Sequence, residues 1–136
     1  MGELLLRKIV LCRDRIHKLR AAEPTSPEEI LIDERTEAFI AFHLFLLVQD
    51  AIDLAAHLIA DRGLGVPSSQ REAFEMLAKA GLVSPASAQA MAQMAALRNR
   101  IAHSYGDLDP VRMVREMPSG LEAVSRFLDE VTLLQT

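Results

Sequence analysis

Apolar residues recur every three or four positions along most of the chain, which is the spacing that places them on one face of an α-helix. In the first segment the pattern runs through Leu5, Ile9, Cys12, Ile16 and Leu19. No stretch of the sequence alternates apolar and polar residues as a half-buried β-strand would. The pattern therefore predicts an all-α protein.

Prolines and cap-forming residues mark the limits of the first two predicted helices. The first helix is expected to end before Pro24. The stretch "SPEE" predicts the start of the second, with Ser26 as N-cap, Pro27 at the first helical position and Glu29 closing a capping box. Because the next helix breaker is Gly63, this helix would contain up to roughly 36 residues and extend for about 54 Å.

Short motifs also mark the third and fourth helices. The stretch "SQRE" is a second capping box, and it predicts a helix that begins after Ser69, continues to Ala80 and stops at Gly81. The pair "SP" at 84 and 85 predicts a fourth helix, which ends by Gly106.

The pair "DP" at 109 and 110 predicts a fifth helix, which Pro118 and Gly120 should kink or split. About five helices joined by short loops indicate an up-and-down helical bundle in which most neighbours are antiparallel. The length of the chain predicts that residues 1–136 form a single domain.

The composition adds an expectation about assembly. Half of the residues (50%) are hydrophobic, although only 4% are aromatic. Because a domain of this size leaves much of its surface exposed, we expect a second chain to cover part of the apolar excess. The net charge of −4 argues against a general attraction to nucleic acid, but it is compatible with a local basic pocket.

Cysteine usage and hydropathy indicate the compartment. The single cysteine, Cys12, cannot form an intrachain disulfide and is typical of a reducing environment. The longest nearly apolar stretch, "AFIAFHLFLLV", is interrupted by His43 and is shorter than the roughly 18 residues of a membrane span. The first residues lack the apolar segment of a signal peptide. We therefore expect a soluble, cytoplasmic protein that does not contact a membrane.

The apolar second helix is interrupted by five polar residues, His43, Gln49, Asp50, Asp53 and His57, of which positions 43, 50 and 57 lie nearly on one face. A metal site or an acid–base pair is one interpretation, but further converging ligands are missing from the sequence. The favoured interpretation is a solvated stripe on an otherwise buried helix. A third is that Asp50 or Asp53 faces the fourth helix and supports Arg98 or His103.

The most concentrated chemistry lies at the end of the fourth helix, in "RNRIAHSYGD". Arg98, Arg100, His103 and the only tyrosine, Tyr105, fall within eight positions. On a straight helix Tyr105 would lie within about 20° of Arg98, whereas His103 would lie about 140° away. Either the helix ends before His103, or a pocket draws these residues from two chains. The alternative is an ordinary helix end, with basic residues favoured by the helix dipole.

The same stretch carries a family resemblance. Arg98, His103 and Tyr105 match R-x4-H-x-Y, the signature of HEPN domains, and Asn99 fits the common form in which asparagine follows the arginine. The segments "AIDLAAHLIA", "LGVP", "REAFEML" and "LRNRIAHSY" occur in the order typical of the HepT-like branch. The chain resembles that branch over roughly residues 28–115.

This resemblance implies a fold, an activity and partners. HEPN proteins are helical bundles, usually dimers, and many are metal-independent ribonucleases whose motif lies at the dimer interface. HepT-like proteins are toxins, and their antitoxin is an MntA-type minimal nucleotidyltransferase that transfers AMP to the motif tyrosine. By resemblance, Arg98 and His103 are the catalytic pair on RNA, with tRNA among the candidate substrates. Asn99 is a supporting residue, Tyr105 lines the pocket and accepts AMP, and no metal or cofactor is required.

The residue types suit this chemistry. Cleavage of RNA needs a base for the 2′-hydroxyl, an acid for the leaving 5′-oxygen and positive charge at the phosphate. Histidine titrates near neutrality, and arginine makes a permanently charged, bidentate phosphate contact. Two copies across a two-fold axis would supply two of each. A non-catalytic helical module that docks a nucleotidyltransferase remains the alternative, and the net charge of −4 favours it.

Overall fold

Helices make up all the regular structure of residues 2–134, which is the part of the chain that the computed structural model describes. The five α-helices are α1 (Glu3–Ala22), α2 (Glu34–Asp61), α3 (Gln70–Lys79), α4 (Pro85–His103) and α5 (Pro110–Leu133). Two short 3-10 helices, Pro27–Ile32 and Tyr105–Asp107, precede α2 and α5. The prediction of an all-α bundle of about five helices is confirmed.

The apolar periodicity of α1 identifies its buried face. The buried residues of this helix are the five positions that carry the pattern, Leu5, Ile9, Cys12, Ile16 and Leu19. The Cys12 side chain is fully buried, and this burial raises the pKa of its thiol to about 12. Cys12 is therefore a core residue, as its place in the apolar pattern of α1 indicates.

Helix α2 lies at the centre of the bundle and packs against all four other α-helices. Its buried residues are Ile40, Ala41, Leu44, Leu47, Val48, Ala51, Leu54, Ala55, Leu58 and Ile59. Within residues 2–134, α2 is also the one helix that is long and apolar enough to cross a membrane by length and composition. Its central position accounts for that composition, because its apolar residues form much of the core.

The start of α2 differs from the prediction. Ser26 makes no side-chain cap, and Pro27–Ile32 forms a 3-10 helix whose Ile30 is buried. The N-cap of α2 is Asp33, which accepts hydrogen bonds from the Thr36 backbone nitrogen at 3.1 Å and from the Thr36 hydroxyl at 2.6 Å. These bonds lower the pKa of Asp33. Helix α2 therefore contains 28 residues, because the chain breaks at Asp33 to place Ile30 in the core.

The remaining caps agree with the prediction. The hydroxyls of Ser69 and Ser84 accept hydrogen bonds from the third residue beyond each, at 3.0 and 3.1 Å. The carboxylate of Asp109 caps α5. Gly81 has a φ of +76°, a conformation that favours glycine and ends α3.

Helix α5 is not split at Pro118 or Gly120, so of the predicted kink or split the split was wrong. It is continuous from Pro110 to Leu133, with Pro118 inside it. Its apolar face stays buried on both sides of the proline, at Met117 and Leu121 among others, and this packing offsets the hydrogen bond that proline removes. Gly120 permits a close crossing, because a Cβ there would lie 3.0 Å from the Met94 sulfur on α4.

Candidate functional site

Arg98, on the next-to-last turn of α4, is held against α2. Its Nε donates a hydrogen bond to Gln49 Oε1 at 3.0 Å, and its Nη1 donates to Asn99 Oδ1 at 3.1 Å. The guanidinium carbon lies 4.7 Å from the centre of the Phe45 ring, which is a cation–π distance. Three neighbours thus orient a half-buried cation whose remaining donors are available to a ligand.

Asp53 reaches Arg98 only through Gln49. The Gln49 side-chain nitrogen donates to Asp53 Oδ1 at 3.1 Å, which leaves the amide oxygen for Arg98. Asp53 also lies 3.6 Å from the Lys8 ammonium of α1. The expected direct contact of an aspartate with Arg98 is not formed, and the supporting role of Asp53 stays a prediction. Sequence reasoning missed Gln49 as the link, although its position four residues before Asp53 allows such a bond on a helix.

The polar stripe of α2 faces α1 at His43, Asp50 and Asp53, and at His43 and Asp50 it is not the solvated surface that was predicted. Asp50 lies 3.4 Å from Lys8 Nζ and 3.7 Å from Arg15 Nε, and its side chain is only 16% exposed. His43 Nδ1 lies 3.1 Å from Arg15 Nη1. Partial burial and the positive charge of Arg15 lower the pKa of His43. For these two residues the interpretation as a solvated stripe was wrong, because Lys8 and Arg15 of α1 contact them.

No metal-binding cluster forms from this stripe. Within residues 2–134, no group of three or more histidine, cysteine, aspartate or glutamate side chains is arranged to hold a metal ion.

His103 is the last residue of α4, so the suggestion that the helix ends before it was wrong. Its side chain is exposed and makes no hydrogen bond or ion pair with any residue from 2 to 134. On α4 it lies about 140° around the axis from Arg98, which faces α2. A single chain therefore presents the two motif residues in different directions.

Tyr105 lies outside α4, in the 3-10 helix that follows it. Ser104 breaks the α-helical backbone, so the straight-helix angle does not apply to the tyrosine. The Tyr105 hydroxyl donates a hydrogen bond to Glu37 Oε2, in the first turn of α2, at 2.6 Å. Partial burial, this hydrogen bond and the negative charge of Glu37 raise the pKa of Tyr105 to about 12. No sequence signal pointed to Glu37, because 68 positions separate the two residues.

Two known nucleases are similar to this chain in sequence. The chain is similar over 107 residues to the tRNA nuclease HepT of Aphanizomenon flos-aquae, at 30% identity, covering 79% of this chain and 68% of that protein. It is similar over 134 residues to the mRNA nuclease HepT of Shewanella oneidensis, at 24% identity, covering 96% of this chain and 98% of that protein.

Solved structures share the fold. A tri-AMPylated HEPN toxin of Shewanella oneidensis, in complex with an MNT antitoxin, has a TM-score of 0.89 at 23% identity and covers 98% of this chain and 99% of its own. The cytosolic protein YutE of Bacillus subtilis, of unknown function, has a TM-score of 0.83 at 14% identity and covers 96% of this chain and 87% of its own. These likenesses establish the HEPN fold.

The family model for ribonuclease HepT-like proteins matches residues 6–131, a wider range than the sequence resemblance indicated. This match includes every residue of the R-x4-H-x-Y motif and all the α2 residues that contact it. The chain belongs to the ribonuclease HepT-like family.

Proposed function

We propose that this protein is a metal-independent endoribonuclease, the toxin of a toxin–antitoxin pair, with Arg98 and His103 as its catalytic residues. The observation that carries the proposal is the contrast between these two side chains. Arg98 is oriented by Gln49, Asn99 and Phe45, whereas His103 is exposed and unpaired within residues 2–134. An accessible histidine can act as acid or base, and a fixed arginine can supply the positive charge at the phosphate, so together they suit metal-independent cleavage of RNA.

A dimer would bring both groups to one substrate. Two aromatic side chains of α2, Phe39 and Phe42, are 38% and 59% exposed, and Phe42 lies about two helical turns before Gln49, the partner of Arg98. Exposed large apolar side chains that lie together are typical of a protein interface. We propose that a second copy covers these side chains, so that each pocket combines residues of two chains. Although Arg98 and His103 point apart within one chain, in such a dimer Arg98 of one chain can share a pocket with His103 of the other.

The reaction follows from the residue types. In the dimer, one His103 accepts the proton of the RNA 2′-hydroxyl, whose oxygen attacks the adjacent phosphorus. The bond from phosphorus to the 5′-oxygen breaks, and the second His103 donates a proton to that oxygen. Arg98 stabilises the charge of the phosphate in the transition state. Histidine and arginine thus supply base, acid and positive charge within the protein.

We further propose that an MntA-type nucleotidyltransferase inactivates the protein through Tyr105. The Tyr105 oxygen attacks the α-phosphorus of ATP, a tyrosyl–AMP phosphodiester forms, and pyrophosphate leaves. The product places a negative charge and a bulky nucleoside two residues from His103, where they exclude the RNA phosphate. A solved relative with the same fold is a tri-AMPylated toxin bound to its MNT antitoxin, which supports this assignment.

The location and domain organisation follow the same assignment. We propose that residues 1–136 act as one domain in the cytoplasm, where RNA and the nucleotidyltransferase are available.

Cleavage of RNA by the purified protein in EDTA tests the catalytic assignment. We expect the wild type to cleave and His103→Ala to be inactive. The matched control is His17→Ala, because His17 is an exposed histidine of α1, outside the site. Full activity of His103→Ala would overturn the assignment. Absence of cleavage in the wild type, together with stable binding to the nucleotidyltransferase, would favour a non-catalytic docking module.

Intact-mass measurement tests the modification. After incubation with an MntA-type nucleotidyltransferase and ATP, the wild type should gain one or more AMP masses. Tyr105→Phe should gain none, because it lacks the phenolic oxygen. Equal gain in both proteins, or in neither, would contradict Tyr105 as the acceptor.

A further inference from the structure

A groove with four arginines runs along the junction of α4 and α5, on a different side of α4 from the Arg98 contacts. It encloses about 800 Å³. Its arginines come from three helices: Arg71 from α3, Arg100 from α4, and Arg112 and Arg126 from α5. The floor between them is apolar, formed in part by Met94 and Leu97. This concentration of cations contrasts with the net charge of −4 of the whole chain.

Four arginines and two carboxylates give the lining of the groove a net charge of +2. Glu116 and Glu122 are its two carboxylates, and Glu116 is paired with Arg112 at 3.1 Å. Arg71, Arg100 and Arg126 are exposed and form no ion pair with a residue in the range 2–134. Three arginine side chains are therefore free to bind a ligand with more than one negative charge.

The groove leads towards His103. Arg100 precedes His103 by three residues, so the two lie on neighbouring positions of the α4 surface, about 60° apart around the axis. Arg98, by contrast, faces α2. A chain of phosphates lying in the groove would therefore pass Arg100 and arrive at His103.

The lining favours a phosphate backbone over bases. No aromatic side chain of the described residues lines the groove, so it offers no surface for base stacking. Arginine binds phosphate oxygens through its planar, permanently charged group. We propose that this groove binds the phosphodiester backbone of single-stranded RNA on one side of the cleavage point. The inference rests on the proposed ribonuclease function and names the path of its substrate.

Charge reversal tests this path. In a His103→Ala background, which prevents cleavage, binding of a fluorescent oligouridylate is measured over a series of salt concentrations. The test variant carries Arg71→Glu and Arg126→Glu. The control carries Arg20→Glu and Arg62→Glu, which change the net charge equally on exposed arginines outside the groove.

The test variant should bind the oligouridylate at least about tenfold more weakly than its parent. The slope of log affinity against log salt should fall by roughly 1.4, because each phosphate contact with a single strand contributes about 0.7. The control should keep both the affinity and the slope. With His103 restored, the groove substitutions should raise KM for RNA more than they lower kcat, because neither arginine is at the cleavage point.

The possible results distinguish failure of the proposed groove from failure of the proposed ribonuclease function. If the wild type cleaves RNA and the test variant binds oligouridylate as well as its parent does, the proposed role of the groove is overturned. The proposed ribonuclease function then stands. Wild-type protein that neither binds nor cleaves RNA would overturn the function itself. Loss of dimerisation or of nucleotidyltransferase binding, with RNA affinity retained, would identify the groove as a protein interface. If the double glutamate variant does not fold, Arg71→Gln with Arg126→Gln should still reduce the affinity and the salt slope.

Discussion

Tyr105 donates a 2.6 Å hydrogen bond to Glu37, and this contact joins the turn after α4 to the first turn of α2. It connects the proposed AMP acceptor to a carboxylate that no local sequence pattern identifies. The chain has one tyrosine and no tryptophan. The near-ultraviolet absorbance of the phenolate therefore reports on Tyr105 alone.

The titration of Tyr105 should differ between the wild type and Glu37→Gln. Wild-type Tyr105 should ionise with a pKa of about 12. Glu37→Gln should lower this pKa, because it removes the carboxylate that disfavours the phenolate. Ultraviolet absorbance against pH measures both values. An unchanged titration curve would show that Glu37 does not control the ionisation of Tyr105.

The raised pKa also predicts a dependence of stability on pH. Because the folded state holds the proton of Tyr105 more tightly, the contribution is complete below the ordinary pKa of 10.0 and is lost as pH rises towards about 12. Thermal melts of wild type and Tyr105→Phe should therefore converge as pH increases through this range. Parallel behaviour of the two proteins between these values would contradict the prediction.

Glu37→Gln should slow AMP transfer to Tyr105. The attacking oxygen must lose its proton, and the nearest acceptor in the chain is the Glu37 carboxylate. We expect the rate to fall by roughly a hundredfold, the lower end of the contribution of a general base. Glu34→Gln is the matched control, because Glu34 is also acidic, lies in the same first turn and is not hydrogen-bonded to the tyrosine. Equal rates in the two variants would exclude a role for Glu37 in proton removal.

Gln49→Ala should reduce RNA cleavage by roughly tenfold or more, the effect of losing a hydrogen bond to a charged group. Gln49 holds the Arg98 side chain in place and is itself held by Asp53. Asp53→Asn should have a smaller effect in the same direction, since it acts one bond further away. The decrease should appear in kcat, with Gln89→Ala, an exposed position of α4, as the control. Wild-type kcat in Gln49→Ala would show that Arg98 needs no such support.

Phe127→Ala should destabilise the fold by about 3–5 kcal/mol, the usual cost of deleting a buried aromatic ring. Its ring is fully buried and packs edge-to-face on Phe74, with centroids 5.5 Å apart, so it links α5 to α3. Urea unfolding at fixed protein concentration gives the free energy of unfolding.

Phe42→Ala, on the exposed face of α2, should leave the monomer core intact and weaken dimerisation. A comparable loss of core stability in both variants would contradict this division.

Local signals predicted most of the helices and failed where two signals competed. Ser69, Ser84 and Asp109 were identified correctly, because a cap bonds to residues only two or three positions away. Ser26 had the same signature, but burial of Ile30 moved the cap of α2 to Asp33. Of the kink or split predicted in α5, the split was likewise prevented by packing on both sides of the proline.

In the candidate site, too, the sequence identified the local pattern and missed the contacts between distant residues. The motif residues Arg98, His103 and Tyr105 were identified from their order in the sequence, since a motif is a local pattern. Their neighbours were not, because Gln49 is 49 positions from Arg98 and Glu37 is 68 positions from Tyr105.

Apolar periodicity and caps were thus enough to define an all-α protein and the buried face of α1, and the order of residues identified the motif at the end of α4. All of these signals depend on residues within one or two helical turns of each other. The partners of Arg98 and Tyr105, the ionic contacts between α1 and α2, and the arginine groove were decided only when the helices packed. Packing brings distant residues together, and spacing along the chain does not specify which side chains meet.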